Sequence, residues 1–331
     1  MNRLGAAVLC LLLAAPVLPP TFPRDHGSHP EAAVEWWYYT GHLRDAAGKA
    51  YGFQLTFFRA RDLHLAHFAW TDVGAGAFAY DEKTHLGLPG IAGASETGLE
   101  VFNEDWSVRE DKGAVRMVAG RRDIGRLELT LTPAKPPVLH GGDGLSKKGP
   151  GDREYSRYVS ITRFAATGAL SRNGSRTALS GTAWFDHEWG PGALPAAAAG
   201  WDWFALQLSD GSDLMLYRLR RQDGAVDPLS SGTVVSLSGE ARRLALPDFR
   251  IAGSGEWQSP RSGARYPARW RVQIPSEELD LEVRPALADQ ELDVSFRYWE
   301  GAVEIEGSRQ GRPIRGRGYV ELTGYAATEH R

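Results

Sequence analysis

The densest run of chemically capable side chains is Trp184-Phe185-Asp186-His187-Glu188-Trp189-Gly190. On an extended strand, side chains alternate. Phe185, His187 and Trp189 then share one face and Trp184, Asp186 and Glu188 the other, with same-face neighbours ~6.6 Å apart. That spacing lets His187 and Trp189 touch one ligand. Histidine titrates near neutrality and offers either a donor or an acceptor, which suits proton transfer to an apolar substrate. The face of Trp189 attracts a cationic intermediate by ~0.5–2 kcal/mol. The bland alternative is a satisfied core histidine among packing aromatics.

Two further clusters bear on the same chemistry. In Glu35-Trp36-Trp37-Tyr38-Tyr39-Thr40-Gly41-His42, alternation puts Trp37 and Tyr39 on one face and Trp36 and Tyr38 on the other. A strand aromatic on both sides is buried on both sides, between a cavity and a second packed surface such as a domain interface. Glu35 either orients His187 or pairs with Arg59. In Gly200-Trp201-Asp202-Trp203-Phe204, an acid stands between two tryptophans. Unpaired in an apolar setting its pKa would rise, the condition for a carboxylic proton donor; at a wet barrel rim it would not. The candidate catalytic residues are therefore His187, Asp202 and Glu188. The candidate walls of an apolar ligand cavity are Trp189, Trp203, Trp37, Tyr39 and Phe185.

Other chemistries lack their residues. His64 with His67, and His26 with His29, approach metal-ligand spacing without a third converging ligand nearby, so no metal is expected. No phosphate loop and no Gly-x-Ser-x-Gly elbow occurs, and no cofactor is implied. The charges, 38 Lys and Arg against 41 Asp and Glu, form no long run, which argues against a nucleic-acid partner.

The elements that must position these residues are strands. Apolar residues alternate over five to ten positions between Gly, Asp, Asn and Pro, as in Tyr51-Gly52-Phe53-Gln54-Leu55, and no long 3.6-residue pattern occurs. Trp36 to Leu43 is expected to pair with Tyr51 to Arg59, and Trp203 to Leu208 with Leu214 to Arg220. Many short strands favour closure into barrels, which removes exposed edges. Pro133 to Arg153 is too rich in Gly and Pro for a strand and reads as a long loop or lid. The domain boundary falls in the Ala165 to Arg176 turn region, giving residues 22–170 and 171–331.

Residues 1–21 read as a cleaved signal peptide: Asn2 and Arg3 precede an apolar run from Leu4 to Leu18, too short and too interrupted by proline for a stable membrane span. A periplasmic or secreted protein is expected. Cys10 lies inside that leader, so the mature chain has no thiol to pair or to catalyse with.

Several segments together resemble the AttH/carotenoid 1,2-hydratase-like family. They are Phe22-Pro23-Arg24-Asp25-His26-Gly27-Ser28-His29-Pro30, Glu35 to Gly41, Tyr51 to Arg59, Trp184 to Gly190, Tyr298 to Val303 and Gly318 to Tyr325. The resemblance implies an all-β fold of two tandem lipocalin-like antiparallel barrels. It also implies an apolar small-molecule ligand, and either acid–base hydratase or hydrolase chemistry or a carrier role beside an ABC transporter. A His-x-Trp pair that protonates an alkene in the hydratase falls on His187 and Trp189. The hydratase's Tyr-x-Asp pair meets Tyr217-Arg218-Leu219, which keeps the tyrosine as a ligand contact and lacks the acid.

Overall fold

Alternating sequence becomes alternating burial wherever a strand has one core-facing side, and here most strands do. The computed structural model describes residues 19–192 and 194–326. The apolar run of the expected leader, through Leu18, lies outside the described residues.

All named strand pairings are antiparallel. A 13-stranded sheet runs edge to edge through Ala77–Leu86, Leu63–Asp72, Ala50–Ala60, Val34–Asp45, Ser175–Gly190, Tyr155–Arg172, Gly125–Pro133, Ala114–Arg121, Trp106–Asp111, Glu100–Asn103 and Ala92–Ala94. A 10-stranded sheet runs through Ala241–Ala245, Ser231–Val235, Asp213–Arg221, Ala198–Leu208, Arg312–Thr323, Tyr298–Arg309, Leu279–Pro285, Arg269–Ile274 and Arg250–Ser254, with Glu291–Leu292 paired to Tyr298–Arg309 beside that path. Both curl into barrel-like domains. In the first, Asn103 Nδ2 donates to the carbonyls of His64 and Lys83, both at 3.3 Å, drawing the two ends of the sheet together.

The expected hairpins form, with Trp37 opposite Phe57 and Trp203 opposite Tyr217. Two features differ from the sequence reading. Residues 170 and 171 fall inside a hairpin, because Asn173 and Gly174 both adopt positive φ (50° and 77°) and close a two-residue turn between Arg172 and Ser175. The first sheet therefore continues to Gly190, and the second begins at Ala198. Within the Gly/Pro-rich loop, Val138–Leu139 and Leu145–Lys147 form short strands against Tyr155–Arg172.

Each domain has its own core, Trp37, Tyr39, Phe53, Phe68 and Trp106 in the first and Phe204, Trp270, Val272 and Trp299 in the second. A third apolar cluster lies between them, containing Tyr38, Tyr158, Trp184, Trp203, Met215, Tyr217 and Tyr319. The Val34–Asp45 strand thus sends Trp37 and Tyr39 into the first barrel and Tyr38 into the interface. Polar ties join the domains as well. Asp213, fully buried, pairs with Lys135 at 2.6 Å and Arg163 at 2.6 Å, and accepts from Thr162 at 2.8 Å.

Candidate functional site

The Ser175–Gly190 strand lies between Val34–Asp45 and Tyr155–Arg172, and its last seven residues face two different environments. Phe185, His187 and Trp189 point into the first barrel and its mouth. Trp184, Asp186 and Glu188 point at the second domain.

On the inner face, His187 is fully buried and is the cross-strand partner of Trp37, whose ring stacks on it at 4.9 Å. Its Nε2 lies 2.9 Å from Glu35 Oε1 and its Nδ1 3.2 Å from the Asp25 carbonyl. Glu35, also fully buried, takes Arg59, its own cross-strand partner, on Oε2 at 3.0 Å. It further accepts from Ser28 Oγ at 3.1 Å, and its Oε1 lies 2.7 Å from His29 Nδ1. Burial pushes the Glu35 carboxyl up, but its hydrogen bonds to His187 and His29 outweigh it and hold the group well below the carboxylate range. Burial lowers the pKa of His187. Of the two roles read for Glu35, the structure gives it both. Tyr39 stacks on Phe185 at 4.6 Å, so Trp37, Tyr39 and Phe185 fill the barrel rather than line a hollow in it. At the mouth, an open cleft of about 700 Å³ is lined by Arg24, Asp25, His29, Arg157 and Trp189; His187 lies behind that wall.

The outer face is built differently. Asp186 accepts from Tyr158 OH at 2.5 Å, from Trp184 Nε1 at 2.6 Å and from Ser160 Oγ, all neutral donors. Burial without a cation against it raises its pKa to about 7. Tyr158 OH in turn accepts from Trp203 Nε1 of the second domain at 2.8 Å. Glu188 accepts from Ser156 and lies 3.4 Å from Lys148, whose ammonium sits 4.3 Å from the centre of the Tyr217 ring.

From the second domain come Glu300 and Glu321, direct cross-strand partners on adjacent strands. Tyr38 OH donates to Glu300 Oε1 at 2.7 Å, and the Glu300 and Glu321 carboxyls are hydrogen-bonded to each other. Burial and the neighbouring Glu321 raise Glu300 well above the carboxylate range. Glu321 is raised to about 7 by burial, although Trp201 Nε1 donates to it at 2.5 Å. Trp36, Trp201, Lys148 and Glu321 are each partly exposed, so this acidic, aromatic zone reaches solvent at its rim.

The candidate residues thus separate. Glu188, Trp203 and Tyr217 meet at the interface, whereas His187, Phe185, Trp37 and Tyr39 belong to the first barrel and Trp189 to its mouth. Asp202 stands apart from both: Trp201 and Trp203 take the other face of its strand, and it pairs with Arg218 and with Arg220 at 2.9 Å while accepting from Tyr325 OH at 3.0 Å. It is fully buried but amply compensated, which is the paired case rather than the unpaired one. A hydrogen-bonded tyrosine–acid pair does occur at the interface, between Tyr158 and Asp186 on neighbouring strands rather than at Tyr217. Sequence reasoning passed over Tyr158, Lys148, Glu300 and Glu321. The signal for the last two lay in Tyr298-Trp299-Glu300 and Tyr319-Val320-Glu321, where period 2 puts each acid on the aromatic interface side.

The profile of the AttH-like family matches residues 14–325. The chain belongs to the AttH-like family. A protein of Nitrosomonas europaea described as AttH shares its architecture, with 34% identity and a TM-score of 0.86 over 94% of this chain and 98% of that one. Kievitone hydratase of Nectria haematococca has the same fold at 17% identity, with a TM-score of 0.76 over 93% of this chain and 94% of that one. The dehydratase asqC of Emericella nidulans is 23% identical over 264 residues, 75% of this chain and 70% of that protein. In this AttH-like chain, the Phe22–Pro30 and Trp184–Gly190 segments that first suggested the family lie together at the barrel mouth.

Proposed function

We propose that this AttH-like protein is an acid–base hydratase or dehydratase that adds water to, or removes it from, an unsaturated apolar substrate at the interface between its barrels. The observation that carries this reading is the set of carboxyls drawn from both domains, Asp186 and Glu300 buried and Glu321 at the rim, all raised well above the usual carboxylate range. Such groups are protonated often enough at pH 7 to act as acids, yet can return as bases. Glu321, the one of the three with solvent access, donates a proton to one alkene carbon. The cation at the other carbon faces the indoles of Trp201 and Trp203. Water adds there, and Asp186 takes its proton through the Tyr158 hydroxyl, so that one water is added in all; dehydration is the reverse. Kinship with a protein named as a dehydratase supports the reaction class, without naming a substrate.

We also place the protein outside the cytoplasm, on the Asn2-Arg3 and Leu4 to Leu18 leader pattern; the mass of the mature chain recovered from its own host tests this. For the reaction, purified protein is incubated in D2O with a panel of prenylated phenols, terpenoids and unsaturated fatty acids. The expected result is a product heavier or lighter by one water that carries solvent deuterium, abolished by Glu321→Gln. Tight retention of a panel member with no deuterium incorporated would overturn the enzyme reading in favour of a carrier.

A further inference from the structure

The inner face holds an arrangement that a packed core does not require. Nδ1 of His29, Oε1 of Glu35 and Nε2 of His187 converge within 4.8 Å, all on buried residues. The opposite nitrogen of each ring is also engaged: His29 Nε2 lies 3.2 Å from Asp25 Oδ1, and His187 Nδ1 3.2 Å from the Asp25 carbonyl. A carbonyl only accepts, as does a carboxylate, so each outer contact can hold one ring N–H while the inner nitrogen faces Glu35 Oε1, at 2.7 and 2.9 Å. An inner nitrogen meets that oxygen either through an N–H or, with its lone pair turned inward, across a cation.

One divalent cation at the point where the three atoms converge would take the place of the inner N–H groups, and both rings would keep their outer contacts. The outer contacts, one carboxylate and one backbone carbonyl, are the partners that orient metal-ligating histidines.

We propose that His29, Glu35 and His187 bind one divalent transition-metal cation of the zinc class. Two imidazole nitrogens and one carboxylate oxygen suit zinc or cobalt(II) better than calcium or magnesium, which prefer all-oxygen sets. Arg59 occupies Glu35 Oε2, leaving Oε1 as a single ligand atom. Tetrahedral ligands at zinc distances stand about 3.3 Å apart, so the two nitrogens, 2.7 and 2.9 Å from Oε1, draw back from it by roughly half an ångström. His29 is on the wall of the mouth cleft, which supplies the entry path. Because His29 precedes the first strand while Glu35 and His187 lie on the barrel, the ion fastens the Thr21 to Ala33 segment over the barrel mouth. This site is on the opposite face of the strand from the carboxyls of the proposed reaction.

The test uses untagged, full-length mature protein stripped with a chelator and then titrated with Zn2+ and with Co2+. About one equivalent should remain after dialysis, Co2+ should give the visible bands of a tetrahedral site, and the melting temperature should rise with metal. His29→Gln changes a loop residue and leaves the strands intact; it should lower affinity at least ~10-fold and remove the Co2+ bands. His187→Gln should do the same, with circular dichroism checking that each variant folds. Binding well below one equivalent overturns the proposal, as does full binding that His29→Gln leaves unaltered.

Discussion

The two faces of the Trp184–Trp189 segment treat carboxyls in opposite ways. Inward, Glu35 meets Arg59, His29 and His187, a surplus of donors that keeps it an anion. Outward, Asp186 meets only Ser160, Tyr158 and Trp184, and Glu300 meets one tyrosine and the neighbouring carboxyl of Glu321. Neighbouring residues on one strand therefore sit in environments that shift carboxyl pKa values in opposite directions. A buried network with every partner supplied holds structure together, whereas buried acids short of cations keep the capacity to exchange protons.

The sharpest way to break this contrast is at Glu321. Glu321→Gln should cost ~10²–10⁴ in turnover, the usual worth of a positioned general acid, and leave substrate affinity measured by tryptophan quenching within a few fold. Equal loss of both would mean that Glu321 only shapes the site. Inward, Arg59→Ala leaves Glu35 buried without its guanidinium partner, and should cost about 3–5 kcal/mol in denaturant unfolding. A loss under ~1 kcal/mol would show that the inner network is not structural in the sense drawn here.

The pH dependence separates the faces next. The folded pKa of Asp186, about 7, lies above the ordinary 3.8, so its neutral form favours folding. Its contribution is complete below about pH 4, is lost as pH rises through 7, and changes no further above that. Stability should therefore fall by up to ~1.4 kcal/mol per pH unit across that window, less any opposing groups. Asp186→Asn should flatten the fall; an unchanged profile would assign it to another group.

Much of the fold was legible because strands announce themselves. Period-2 runs located the hairpins at Trp36 to Arg59 and Trp203 to Arg220, and aromatics on both faces of Trp36 to Tyr39 marked a strand buried on both sides, although the inner side is packed core and not the cavity expected. The turn at Asn173-Gly174 was equally visible as a hairpin signal. It was read as a boundary because only pairing with Val34–Asp45 shows that the chain returns to the same sheet. For the candidate site, the sequence singled out the Trp184 to Gly190 segment and could not say which of its faces gathers carboxyls short of cations. His187 draws attention by type, yet what distinguishes it from Asp186 is whether cations converge on the carboxyl beside it. Arg59, Lys148 and Glu300 come from distant strands and loops, and Asp202 shows the same limit: its arginines lie 16 and 18 residues on, brought opposite only by the hairpin.

The smallest effect gives the finest test. Trp203→Phe keeps a ring edge-on to Tyr38, now at 5.0 Å and 82°, but removes the Nε1–H that reaches Tyr158 OH at 2.8 Å. Tyr158 still donates to Asp186, so the expected cost in stability is only about 0.5–1.5 kcal/mol. The matched inner change, Trp37→Phe, removes the Nε1–H that reaches the His26 carbonyl at 3.0 Å and should cost a similar amount. The pH–rate profile should tell them apart. Losing a donor to Tyr158 makes its hydroxyl a weaker donor to Asp186, so Trp203→Phe should move the profile's neutral limb upward, because a poorly hydrogen-bonded buried carboxylate holds its proton longer. Trp37→Phe has no path to Asp186 through hydrogen bonds and should leave that limb where it is. Equal shifts from both would mean that the strand transmits strain between its faces, and that the two networks work as one.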